Sequence, residues 1–219
     1  MKFICCLTFF GASLLSTSAA VFSYQAILTP EAVVPGSPTD DPAGISTASG
    51  LAQLTLTTGG VGGPTLSYSL TLTGLDVSET IPRPTLTGPD DLVRAVHIHF
   101  GAVGVNDVHG LNVYGFPRED DADLVVNSST STVSGLWDDS DANFGSDGIR
   151  GAGDSVALSD ALTALQAGEL YFQVHTFGFR QGEIRGQITQ VPEPAQLALV
   201  VGCIFFVVVV YARRSKHRF

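Results

Sequence analysis

The run GLAQLTLTTGGVGGPTLSYSLTLTGL, Gly50–Leu75, alternates apolar and polar residues on both sides of a glycine-rich middle. Ala52, Leu54 and Leu56 share one face of the first half. Leu66, Tyr68, Leu70 and Leu72 share one face of the second, with Ser67, Ser69 and Thr71 opposite. Successive strand side chains point to opposite faces, so this period of two marks two half-buried strands rather than helices. The TTGGVGG stretch between them carries glycines that tolerate positive φ, and the whole reads as an antiparallel hairpin.

Working outward, further strands are expected at Phe22–Leu28, Leu92–Phe100, Leu124–Val126, Glu169–Thr176 and Gln181–Thr189. TFGFRQG forms the loop between the last two. One helix is expected, in LSDALTALQAG, with Ser159 as N-cap, Leu162 and Leu165 on one face and Gly168 as the stop. Glu31–Ile45 and Asp138–Asp154 are loops on their Pro, Gly and Asp content. Many short strands with one-sided patterning predict an all-β fold, a Greek-key β-sandwich with one short helix. Its core is expected to hold Leu66, Tyr68, Leu70, Leu72, Ile98, Val174 and Ile184.

The two ends are different in kind. Residues 1–20, MKFICCLTFFGASLLSTSAA, have an early Lys2, an apolar run and small residues at Ser18 and Ala20, which fits a cleaved signal peptide. Cys5 and Cys6 would leave with it. Near the other end, Ala195–Ala212 is an uncharged stretch just long enough to span a bilayer as a helix. Arg213, Arg214, Lys216 and Arg218 follow, placing that end in the cytoplasm and everything before Pro192 outside the inner membrane. Pro192, Glu193 and Pro194, then one apolar helix, then a basic tail, together resemble a PEP-CTERM sorting signal over residues 191–219. That resemblance implies a Gram-negative source, handling by signal peptidase and an exosortase, and delivery to the cell surface or extracellular matrix.

Between these ends lies a stretch the size of one domain, residues 21–190. Outside the signal and the basic tail, six arginines and no lysine face all 21 acids, a formal balance of −15. Such a surface repels nucleic-acid phosphates and anionic lipid, and it attracts divalent cations. The third cysteine, Cys203, is in the expected tail helix, so the domain has no disulfide and its core alone must hold it. Asn127-Ser-Ser is a glycosylation sequon without meaning in a bacterium.

Two stretches, VRAVHIHFGAVGVN at Val93–Asn106 and LTALQAGELYFQVHTFGFRQGEIRGQI at Leu162–Ile188, together resemble the CHRD domain. The resemblance covers about Ser23 to Thr189 and departs at Asp107–Val126, which is longer and more acidic than the usual link. It implies an extracellular β-sandwich module, structural or binding, for which no catalysis is expected.

His97 and His99 share a strand face opposite Val96, Ile98 and Phe100, while Tyr171, Gln173 and His175 share a face of the late strand. If His175 meets the pair, three imidazoles converge, enough for copper or zinc with an open position. VHIHFG is also similar, over those few residues, to the His-x-His strand of copper/zinc superoxide dismutase. That sets the alternative function: a mononuclear copper- or zinc-binding protein of superoxide-dismutase-like character. The competing reading is histidines that hydrogen-bond their neighbours and do nothing more. Glu183 and Arg185 read either as a positioning pair or as a cross-strand salt bridge. Asp139, Asp141 and Asn143 have the 1-3-5 spacing of calcium ligands, but Phe144 and Arg150 stand where an EF-hand needs glycine and glutamate. An irregular calcium loop or a solvated acidic loop both fit.

Overall fold

The computed structural model describes residues 19–80, 90–144, 151 and 153–192. The segment expected as a signal peptide (all but its last two residues), the apolar stretch Ala195–Ala212 and the basic residues from Arg213 lie outside the described residues. Among the described residues no helix is long and apolar enough to cross a membrane.

Strands β1 (Ala20–Leu28), β2 (Ser49–Thr58) and β3 (Thr65–Thr73) open the chain. In the β2–β3 hairpin Ala52 faces Leu70, Leu54 faces Tyr68 and Leu56 faces Leu66. All six are buried, as the alternation requires. There follow β4 (Val93–Phe100), β5 (His109–Gly115), β6 (Val125–Asn127), β7 (Thr132–Trp137), helix α1 (Leu158–Ala167), β8 (Leu170–Thr176), β9 (Ile184–Gln187) and β10 (Thr189–Gln190). The strands form two antiparallel sheets, β10-β1-β2-β3-β7-β6 and β5-β4-β8-β9. β7 returns beside β3 after two strands in the other sheet, and β8 returns beside β4 after two strands in the first. One continuous apolar core runs through the fold and includes every residue expected there, from Leu66 to Ile184.

Three local expectations need correction. The segment expected as one strand, Gln181–Thr189, is two. β9 pairs with β8, and β10 pairs with β1 in the other sheet. The switch falls at Ile188, which is fully buried and donates its N–H to Leu170 O. At this corner Arg185 N–H and O both bond Thr29, so the two sheets are stitched together. The helix begins two residues early, with Ala157 rather than Ser159 at the cap and no side-chain cap. Ser159 contributes only its backbone N–H, which Asp139 Oδ1 accepts at 2.8 Å from another loop. Gly168 does stop the helix, at φ +71°. Finally, β5 and β7 were not expected. β5 is buried at every position after His109, so it shows no alternation, and Gly135 interrupts that of β7.

Candidate metal centre

β4 is the middle of the site. His97 and His99 sit beside Ile98 and, as expected, on the opposite face from it. Ile98 enters the core, while the imidazoles lie on the other face of β4, flanked by β5 and β8. β8 pairs with one edge of β4, setting Tyr171 opposite His99, Gln173 opposite His97 and His175 opposite Ala95. β5 pairs with the other edge and sets His109 opposite His99, with two register irregularities between them. Four histidines from three adjacent strands therefore meet. His97 to His109 measures 4.1 Å between ring centroids, His99 to His109 4.5 Å, and His97 to His175 5.0 Å. His175 stands farther from His99, at 6.4 Å. The tightest set is His97, His99 and His109, whose ligand nitrogens all lie within 4.8 Å of one another. Two of those three were singled out in the sequence. His109 was not, because its strand lay in the stretch taken for an acidic link.

Each ring is oriented by a hydrogen bond to an oxygen that can only accept. His97 Nε2 donates to Phe116 O at 2.7 Å, His99 Nδ1 to Asp107 O at 2.9 Å, and His175 Nδ1 to Arg180 O at 3.1 Å. His109 Nδ1 donates to Asn112 Oδ1 at 2.6 Å. A ring nitrogen that donates carries the proton, so in the neutral ring the other nitrogen carries the lone pair. In three of the rings that second nitrogen, His97 Nδ1, His99 Nε2 and His175 Nε2, is buried with no hydrogen-bond partner. Buried polar atoms are nearly always satisfied, and three orphans in one cluster ask for a reason.

Electrostatics keeps the rings neutral. Burial pushes the His97 imidazolium well below its usual range, with the other three histidines adding repulsion. Burial likewise lowers His99 to about 3 and His175 to about 4, and lowers His109. Neutral imidazoles are the form that binds metal.

A second layer holds the first. Asn112, fully buried, passes His109 on to Asp120 through Nδ2 at 2.7 Å and to Gly153 O at 2.9 Å. Asp120 also accepts from Ser155 and Arg118. Tyr171 stacks on His99 at 5.0 Å, and the Arg185 guanidinium lies 3.4 Å from the Tyr171 ring centroid. Arg185 donates to Ala102 O, Val105 O and Asn106 Oδ1, clamping the loop whose Asp107 O holds His99. Arg185 does not pair with Glu183, whose carboxylate accepts from Ser46 and Thr176 instead. Ion-pair partners and such orienting contacts are invisible in a single sequence.

The other sequence candidate, Asp139, Asp141 and Asn143, is split among separate tasks. Asp139 caps Ser159 N–H; Asp141 accepts from Asp138 N–H at 2.9 Å and Ala122 N–H at 3.3 Å; Asn143 donates to Asp120. The tripeptide expected to act in sorting begins at Pro192, the last described residue, and Glu193, Pro194, Arg213 and Arg214 lie beyond it.

A family model of the CHRD domain matches residues 24–188. No curated protein and no solved structure matches the chain.

Proposed function

The chain belongs to the CHRD-domain family, and from that premise we propose that it is an exported envelope or matrix module that holds one divalent transition-metal ion on His97, His99, His109 and His175. The observation that supports this most is the set of three buried, partnerless ring nitrogens, each opposite a nitrogen tied to a backbone carbonyl. A bare lone pair in that setting costs about 1–3 kcal/mol unless something binds it, and a metal ion does so. Metal-bound histidines characteristically donate their other N–H to a carbonyl or carboxylate, the arrangement present here. An all-nitrogen, neutral donor set favours copper(II) over zinc by the general order of divalent affinities. Ligands about 2.0–2.1 Å from a shared ion stand about 3–4 Å apart, so closing on one needs small rotamer changes from the present separations.

Delivery belongs to the same proposal. Signal peptidase would release Val21 as the first residue, and exosortase-type machinery would sort the protein from the inner membrane through the segment that begins at Pro192. Intact-mass analysis of the secreted protein tests that part, and an N-terminus retaining Met1 overturns it. Calorimetry tests the metal. Residues 21–192 should take up one copper(II) or zinc ion per chain, and His99→Ala should weaken binding at least tenfold. Equal heats from the two proteins would leave the histidines a purely structural role.

A further inference from the structure

The exported part of the chain has six arginines for 21 acids, so an arginine without a carboxylate partner needs explaining. Four of the six are described, and all four surround the histidine cluster. Arg118 forms ion pairs with Asp120 and Asp154, behind His109. Arg185 is buried against Tyr171, behind His99. Arg94 and Arg180 are the other two, and among the described residues neither forms an ion pair. Both are tied to groups that hold the histidines. The Arg94 guanidinium lies 4.5 Å from the centre of the Phe116 ring, and Phe116 O fixes His97. The Arg180 carbonyl fixes His175. Arg94 is half-buried and Arg180 exposed, so the pair stands on the solvent side of the cluster. Their charges lie close enough to repel each other, and that of Arg94 reaches His175.

Two unpaired cations beside a cation site weaken it if the metal is the only thing bound. They make sense if the metal arrives with, or later receives, an anion. His97 and His99 are buried, whereas His175, held by the carbonyl of the exposed Arg180, is half-buried, so solvent approaches the cluster beside these arginines. We infer that Arg94 and Arg180 form the rim of an anion subsite, where a small monoanion takes the coordination position the histidines leave open. The guanidinium fork suits this, since it offers several N–H donors to one anion and stays charged at any working pH. The ligand class is a small monovalent anion with a terminal lone pair, such as a short carboxylate or an inorganic pseudohalide.

This inference rests on the metal reading, and the experiment separates the two. The full chain, solubilised in detergent, is loaded with copper(II) and titrated with sodium azide, following the azide-to-copper charge-transfer band and the copper spin-resonance spectrum. The same is done with Arg94→Gln, Arg180→Gln and the double variant. Arg180→Gln alters only an exposed side chain, so it guards against a variant that fails to fold. All four proteins should bind copper with the same azide-free spectrum. Azide affinity should fall about tenfold or more in the double variant, as expected for losing charge-assisted hydrogen bonds. Copper uptake with unchanged azide affinity overturns the anion subsite alone. No copper uptake by the wild-type chain overturns the metal reading and this one with it.

Discussion

Asn112 shows how far the histidine cluster depends on single side chains outside it. Three of the four imidazoles lean on backbone carbonyls, which no substitution removes. His109 leans on a side chain, and that side chain is fully buried with every polar atom engaged. Asn112→Ala should therefore do two separable things. It leaves the His109 N–H and the Asp120 carboxylate without their shared partner, which should cost about 1–3 kcal/mol of stability in urea unfolding. It also frees the His109 ring to turn, which should lower copper affinity about 10- to 100-fold by calorimetry. Loss of stability with undiminished affinity would mean that His109 is not a ligand. The sequence disclosed His97 and His99 because an i, i+2 pair on a strand must share a face. It hid His109 because a fully buried strand carries no alternation to read, and it hid Asn112 because a polar residue inside a short link looks like any surface asparagine.

At the level of elements, what the sequence disclosed follows the same division. β2 and β3 are buried on one face and wet on the other, so their alternation gave strand, register and core together. Replacing Leu70, which is fully buried between β2 and β7, by Ala should cost roughly 2–5 kcal/mol of stability. A change too small to measure would contradict its place in the core. The crossing of β1 and β9 was not legible, because it depends on two backbones approaching from distant parts of the chain. Gly186 makes it fit. A Cβ there would stand 2.6 Å from Ile27 O and 2.9 Å from Leu28 Cγ. Real contacts of that kind require something to move, and one of the obstructing atoms is backbone. Gly186→Val should therefore open the corner where β9 meets Thr29. The expected readout is faster amide exchange at Thr29 and Arg185, whose N–H groups bond across it, with exchange in the distant β2–β3 hairpin much less affected. Uniform exchange in both places would show that the corner is no weaker than the rest of the sheet.

The molecule as a whole carries the histidine cluster as a standing sensitivity to acid. Folding holds His97, His99, His109 and His175 below their ordinary protonation range, chiefly by burial, with His99 near 3 and His175 near 4. The unfolded chain has no such constraint and takes up those protons near pH 6.5. Between that value and the folded-state values the unfolded form binds more protons, so stability must fall as pH falls through the window. Two buried carboxylates act in the opposite sense. Burial raises Asp121, and raises Asp141 to about 6, so between each group's ordinary and raised values the folded form holds the extra proton and gains stability as pH falls. Four histidines outweigh two carboxylates. The metal-free domain is thus expected to unfold at lower urea concentration at pH 5 than at pH 7. In the His97→Gln, His99→Gln double variant that difference should shrink, because two of the four titrating rings are gone. A bound ion adds stability by a second route, since it binds the neutral rings of the folded state, and His99 and His175 stay neutral there until the pH nears about 4. The gain in urea midpoint on adding copper(II) should accordingly be similar at pH 7 and pH 5 and shrink below about pH 4, where His175 and then His99 take up protons in the folded state. A gain undiminished below about pH 4 would mean that copper is held by groups other than these imidazoles.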